Sequence, residues 1–132
     1  MITGDAGEAQ EIYYAKFRLE EEGWQVHIAA PEKRPFLSVV HDFEPGFDTY
    51  TEKPGYRVQA DLGLDDVNPQ DYSGLVLPGG RAPEYLRNRE KAVSIVRHFL
   101  ETGKPIAANL QVITDRATRG IEISHCPDLT GR

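Results

Sequence analysis

Cys126 is the only thiol of this 132-residue chain, and it directly follows His125. A thiol beside an imidazole suggests nucleophilic catalysis, in which the imidazole activates the sulfur. Residues 121–124 read as a strand, however, and neighbouring side chains on a strand point to opposite faces of its sheet. We therefore interpret Cys126 as a passive cysteine. A single cysteine also excludes an internal disulfide and a Cys-x-x-Cys metal or redox site.

One stretch contains residue types that bind metal ions, but their spacing is wrong for a binding loop. We interpret these residues as solvated loop charges and predict no metal site. They are His41, Asp42, Glu44 and Asp48. The chain also lacks a Gly-x-Gly-x-x-Gly motif and a phosphate-binding loop, so we predict no cofactor.

The elements that position the remaining candidate residues alternate between helix and strand. Apolar periodicity predicts helices over 9–22, 89–102 and 110–118, and strands over 24–30, 74–77, 105–108 and 121–124. Residues 31–57, rich in proline and aromatic residues, predict an inserted hairpin and loop. The alternation predicts one α/β domain, a doubly wound and mostly parallel sheet with helices on both faces. Sites in such sheets lie at the carboxyl ends of the strands.

The net charge of the chain disfavours some classes of binding partner. The 15 Lys and Arg residues against 21 Asp and Glu give a formal net charge of −6. An acidic chain without a basic run is a poor candidate for binding nucleic acid or an anionic membrane. We also see no membrane-spanning apolar run and no signal peptide, and we expect a cytoplasmic protein.

Three stretches of the sequence resemble the ThiJ/PfpI superfamily, in register from about Ile2 to Ala108. They are TGDAGEAQEIYYAKFRLEEEGWQVHIAAP, LVLPGGRAPEYLRN and GKPIAA. This superfamily includes the PfpI-type intracellular proteases and the Parkinson-associated deglycase, and shares its fold with class I glutamine amidotransferases. The resemblance implies a flavodoxin-like sheet and cysteine-dependent hydrolase, deglycase or glyoxalase-like chemistry on small carbonyl compounds or peptides.

The resemblance also assigns roles to four residues that would otherwise read as an ordinary helix-start acid, a strand-ending turn and a surface acid. Glu8 takes the position of the acid that contacts the catalytic thiol. Gly79 and Gly80 take the position of the turn whose amides hold an oxyanion. Glu84 takes the position of an acid that orients the histidine of a neighbouring subunit. This last role implies a homo-oligomer.

The sequence departs from the family pattern where the nucleophile belongs. The family has Ile-Cys-His-Gly-Pro after the strand that matches KPIAA, but this chain continues NLQVITDRATRG. Leu110 therefore takes the cysteine position and Gln111 the histidine position. Matching both flanks leaves the stretch about four residues short of a complete nucleophile elbow. We also expect that residues 1–132 form a single domain, which is incomplete at both ends when it is compared with the family pattern.

Three interpretations of function follow from this departure. The chain is a catalytically inactive family member, which we favour because a nucleophile is required and none stands at the elbow. Alternatively, it is an active enzyme whose true sequence contains the elbow. As a third interpretation, it is a non-catalytic binding or interaction module that uses Glu8 and the Gly79-Gly80 turn.

Overall fold

A computed structural model describes residues 1–108 of the chain. Its α-helices are α1 (Ala9–Glu21), α2 (Ala82–Leu86) and α3 (Glu90–Glu101). Its strands β1 to β6 are Ala29–Ala30, Pro35–Phe43, Tyr50–Gln59, Leu62–Gly63, Leu75–Leu77 and Ile106–Ala108. Short 3₁₀ turns occupy Leu64–Asp66 and Pro69–Asp71.

The central layer is built from two parallel strand pairs that residues 1–3 join. Strand β1 pairs with β4, and β5 pairs with β6. Between these pairs, the Ile2 N–H donates to the Val76 carbonyl (3.0 Å) and the Thr3 N–H donates to the Ala29 carbonyl (3.0 Å). The spatial order is therefore β4, β1, residues 1–3, β5 and β6, with the carboxyl ends of the parallel strands at one edge.

Helices cover both faces of this layer. On one face, Ile12 of α1 is fully buried in a cluster with Ile28, Ala30 and Phe36. On the other face, α3 contributes the largest part of a second cluster, which also holds Leu75 and Leu77. Leu75 and Leu77 share a face because alternate residues of a strand point the same way.

Residues 35–59 form a long antiparallel hairpin of β2 and β3 beside the parallel layer. Its inner end is buried through Phe36, Val39 and Val58. There the Val39 N–H donates to the Gly7 carbonyl (2.9 Å), which attaches β2 to the loop before α1. The hairpin is thus anchored beside that loop.

The predicted helices over 9–22 and 89–102 match α1 and α3 to within a residue at each end. The predicted strand over 24–30 is wrong in length, since only Ala29–Ala30 is a strand. The Ile28 N–H donates to the Asp61 carboxylate (2.8 Å) instead of to a neighbouring strand, so regular pairing begins only at Ala29.

The predicted helix over 110–118 and strand over 121–124 lie outside the described residues. Among residues 1–108, none of the helices has the length and apolar composition needed to cross a membrane.

Candidate active site

Two turns meet at the carboxyl edge of the parallel layer and form the candidate site. One turn precedes α1, and the other follows β5. Gly7 and Gly80 form an antiparallel bridge between them. Its hydrogen bonds run from the Glu8 N–H to the Gly79 carbonyl (3.1 Å) and from the Arg81 N–H to the Ala6 carbonyl (2.9 Å).

Gly80 is the residue that permits this close approach. Its φ is +86°, a conformation that side chains disfavour. A Cβ at this position would lie 2.4 Å from the Ala6 carbonyl oxygen and 2.7 Å from the Glu8 nitrogen. The opposing turn is also unusual, because Ala6 itself has a φ of +62°. Two left-handed residues thus bring the turns into contact.

Glu8 lies inside the site as the N-cap of α1. Only 5% of the residue is exposed, and its carboxylate accepts a hydrogen bond from the Glu11 N–H (2.8 Å). An acid in this place satisfies one of the free amides at the helix start and stabilises the positive end of the helix dipole. The role in thiol contact that the resemblance gives to Glu8 remains a prediction.

Glu11 is the site residue that the sequence reasoning missed. Its side chain reaches across the edge of the layer and accepts a hydrogen bond from the Gly79 N–H. A Cβ on Gly79 would lie 2.7 Å from this carboxylate, so a larger residue at this position would displace the Glu11 side chain. The spacing of Glu8 and Glu11 was a usable signal, because residues three apart on a helix are neighbours. Two carboxylates therefore converge on the first turn of α1.

The hydrogen bond between Gly79 and Glu11 bears on the oxyanion role that the resemblance predicts for Gly79 and Gly80. The Gly79 amide donates to Glu11 in the described structure. The Gly80 N–H takes no part in the bridge between the turns. The oxyanion role of Gly79 and Gly80 remains a prediction.

Glu84 and Tyr85 lie side by side on α2 but face different surroundings. Glu84 is exposed, as a contact to a second subunit would require. Tyr85 is half-buried, and its hydroxyl donates to the Asp5 carbonyl (2.8 Å), which ties α2 to the loop before α1. Burial, with the Asp5 charge as a second cause, raises the pKa of Tyr85 to about 12.

The hairpin reaches the same turn through Arg81. The Arg81 guanidinium binds the Glu52 carboxylate with two hydrogen bonds of 2.6 and 3.2 Å. This contact is the first cause that lowers the pKa of Glu52. The Nε2 atom of His41 lies 3.3 Å from the same carboxylate, and the rings of His41 and Tyr50 are 4.2 Å apart. The hairpin therefore lies next to the candidate site at Arg81.

Residues 1–108 contain no group of three or more side chains arranged to hold a metal ion. Leu110, Gln111 and Cys126 lie outside the described residues. Ala108 pairs with Leu77 at the end of β6. In the sequence, Leu110, the position that the family pattern gives to the nucleophile, comes two residues after Ala108.

The Tyr85 contact predicts a pH dependence of stability. Because the pKa of the folded state lies above the ordinary value of 10, ionisation of this phenol favours unfolding. The stabilisation is complete below pH 10 and is lost as the pH rises towards 12. Urea unfolding should show a smaller loss of stability over this interval in Tyr85→Phe than in the unaltered chain. Equal losses in both proteins would contradict the assignment.

Solved structures confirm the fold class predicted from the sequence. A ThiJ/PfpI domain protein from Brachyspira murdochii superposes with a TM-score of 0.71 at 17% identity, covering 89% of this chain and 61% of that one. A two-domain protein of Anabaena variabilis with a DJ-1/ThiJ/PfpI-like domain also gives a TM-score of 0.71, at 20% identity, covering 88% of this chain and 30% of that one. The chain therefore has the α/β flavodoxin-like fold of these proteins.

The chain belongs to the DJ-1/PfpI family, whose family model matches residues 1–109. It is 46% identical over 107 residues to a deglycase of Pyrococcus horikoshii, a match that covers 81% of this chain and 56% of the relative. It is also 46% identical over 106 residues to the deglycase PfpI of Pyrococcus furiosus, covering 80% of this chain and 55% of the relative. The chain thus spans about half the length of these relatives, and the resemblance found in the sequence is confirmed.

Proposed function

We propose that this chain is a DJ-1/PfpI-family domain that keeps the acidic site of the family and has no thiol-dependent turnover. The observation that carries the proposal is Leu110 at the nucleophile position. The match to the family model supports it, because that match ends at residue 109, where the elbow should begin. The sequence after this point has one thiol, Cys126, outside the elbow context.

The proposal depends on what the described residues of the site can do without a thiol. Glu8, Glu11 and the Gly79-Gly80 turn can orient a group, hold a proton or stabilise negative charge. Covalent chemistry on a carbonyl carbon needs in addition an atom that donates an electron pair, and in this family that atom is a thiolate sulfur. In this proposal the site keeps the supporting groups of a nucleophilic enzyme, and the sequence has Leu110 at the position that the family pattern gives to the cysteine.

The first test of this proposal is an activity assay on the unaltered chain. We expect no consumption of glyoxal or methylglyoxal and no cleavage of fluorogenic peptides above the buffer rate. These substrates represent the carbonyl and peptide classes that the family resemblance implies. Turnover that is lost in Cys126→Ala would overturn the proposal, since it would identify Cys126 as the nucleophile.

A second candidate function is favoured by the 46% identity to named deglycases. In this case the natural protein contains an elbow and acts in the cytoplasm on small carbonyl adducts. The intact mass of the protein isolated from its natural source distinguishes the two. A mass of 14.8 kDa supports the inactive domain, and a clearly larger mass supports the enzyme.

We further propose that the chain forms a homo-oligomer through the segment from Arg81 to Arg87. Arginine and tyrosine are favoured at interfaces, and Glu84 is exposed there. Glu84→Lys should shift the elution of the protein on a sizing column towards smaller species. Glu101→Lys, an exposed acid at the far end of α3, is the matched control and should elute unchanged. An unaltered profile of Glu84→Lys would refute this interface.

A further inference from the structure

The outer half of the hairpin, residues 41–53, projects from the rest of the described structure, and we call it the arm. Its strands pair with each other from His41–Glu52 to Phe43–Tyr50. The large apolar side chains at its end face water, with exposed fractions of 80% for Phe43, 64% for Phe47 and 48% for Tyr50. Single exposed aromatic residues are ordinary, whereas a group of them on one projection is typical of an interaction surface.

Within residues 1–108, the arm lacks the packing that usually stabilises such an element. A two-stranded hairpin needs a third strand or a covering surface to be stable in water. The inner end of the hairpin has that support, because Phe36 and Val58 are buried. Within residues 1–108, the contacts of the arm beyond the strand pairing are polar or internal to the arm, and include the ion pairs of Glu52 with Arg81 and of Lys53 with Asp42 and Glu44 and the contacts of His41 with Glu52 and Tyr50. The ion pair with Arg81 connects the arm to the turn after β5, whereas the aromatic side chains at the end of the arm are exposed.

The charge of the arm indicates what can cover it. The arm carries four acids against the single base Lys53, and among residues 1–108 its Asp48 makes no ion pair. The acids are Asp42, Glu44, Asp48 and Glu52. A surface that fits this end should therefore be basic and accept aromatic rings.

The same chain offers such a surface between α2 and α3. Residues 87–91, which we call the corner, read RNREK and carry three bases against one acid. Arg89 is exposed and, within residues 1–108, makes no ion pair. Guanidinium groups also bind the faces of aromatic rings. The corner directly continues the Arg81–Arg87 segment proposed above as the interface.

We infer that the arm of one copy docks on the corner of a second copy, with Phe43 and Phe47 against its surface and Asp48 beside Arg89. This inference rests on the proposed homo-oligomer and specifies its two complementary surfaces. Each copy donates one arm and receives another. A twofold dimer satisfies this pairing, because the arm of each copy then contacts the corner of the other.

The test is sedimentation equilibrium on the whole chain and on variants of exposed residues. Phe43→Ser with Phe47→Ser should weaken association on the order of a hundredfold, since buried aromatic anchors dominate interface energies. Phe17→Ser, a similarly exposed aromatic residue on α1, is the control and should associate normally. Circular dichroism melts of each variant confirm that the fold is retained.

A charge exchange tests the specific pairing. Asp48→Arg alone and Arg89→Asp alone should each weaken association about tenfold through like-charge contacts. An equimolar mixture of these two variants should recover association, because the reversed arm then meets the reversed corner. Asp65→Arg is the control for a change of net charge at an exposed acid elsewhere.

The outcomes separate this inference from the proposed oligomer. Loss of association in the arm and corner variants with recovery in the mixture supports it. An oligomer that Glu84→Lys dissociates and that the arm variants leave intact overturns the arm inference alone. A chain that is monomeric throughout the accessible concentration range overturns both.

Discussion

Gly80→Ala is expected to lower the free energy of unfolding by about 3 kcal/mol. A left-handed conformation costs a side-chain-bearing residue about 1–2 kcal/mol, and forcing an extra carbon into a packed place costs about 1–3 kcal/mol. Both terms apply at Gly80, whose φ is +86° and whose Cβ would meet backbone atoms on the opposite turn at 2.4 and 2.7 Å. Backbone atoms cannot move aside as a flexible side chain can. The measurement is urea unfolding followed by circular dichroism.

Gly103→Ala is the matched control for this prediction. Gly103 has a φ of +68° and ends α3, but within residues 1–108 no atom outside its adjacent chain lies within 4 Å of the place where its Cβ would stand. Only the conformational term applies there, so we expect a loss of about 1–2 kcal/mol. Equal losses in the two variants would contradict the close approach of the two turns, and with it the geometry of the candidate site.

Restoring cysteine and histidine by substitution should not restore an activated thiol. In a Cys126→Ala background, Leu110→Cys with Gln111→His supplies the residue types without the missing length. An elbow holds its thiol clear of the sheet by a strained turn at the start of a helix, which favours the thiolate. A displacement of about 1 Å from the productive geometry can reduce a rate on the order of a hundredfold. We therefore expect an ordinary thiol with a pKa of about 8.5.

Insertion of Ile-Cys-His-Gly-Pro after Ala108 in the same Cys126→Ala background is the comparison. The inserted thiol should titrate below about pH 7, because the full turn can place it at a helix start. Reaction with a chromogenic disulfide as a function of pH gives both values. A low thiol pKa together with turnover in the double substitution would show that the site was lost by substitution alone and not by deletion.

The sequence predicted those parts of the site that depend on local patterns. The Pro78-Gly79-Gly80 turn follows from an apolar strand that ends in glycines, and the acid at Glu8 follows from the start of a helix. The contact of Glu11 with Gly79 could not be predicted in this way, because it joins residues that are 68 positions apart. It exists only once α1 and β5 lie side by side.

Contacts between residues far apart in the sequence also explain why the length of the first strand was predicted wrongly and why the position of the hairpin was not predicted. Alternation of Val26, Ile28 and Ala30 predicts a strand, but the partner of the Ile28 N–H is a side chain and regular pairing fails before Ala29. The proline-rich stretch over 31–57 predicts a surface hairpin without indicating where it points. The Glu52–Arg81 ion pair, which joins the hairpin to the candidate site, depends on the folded arrangement of both segments.

The central claim is that the only thiol of this chain is not an activated nucleophile. The most direct measurement is the rate at which iodoacetamide alkylates Cys126 in the unaltered chain as a function of pH, with and without urea. We predict that the alkylation rate rises in one step with a midpoint of about pH 8.5 under both conditions, which is the value of an ordinary cysteine. A midpoint below about pH 7 that returns to the ordinary value in urea would show that the fold activates Cys126, and would contradict the claim.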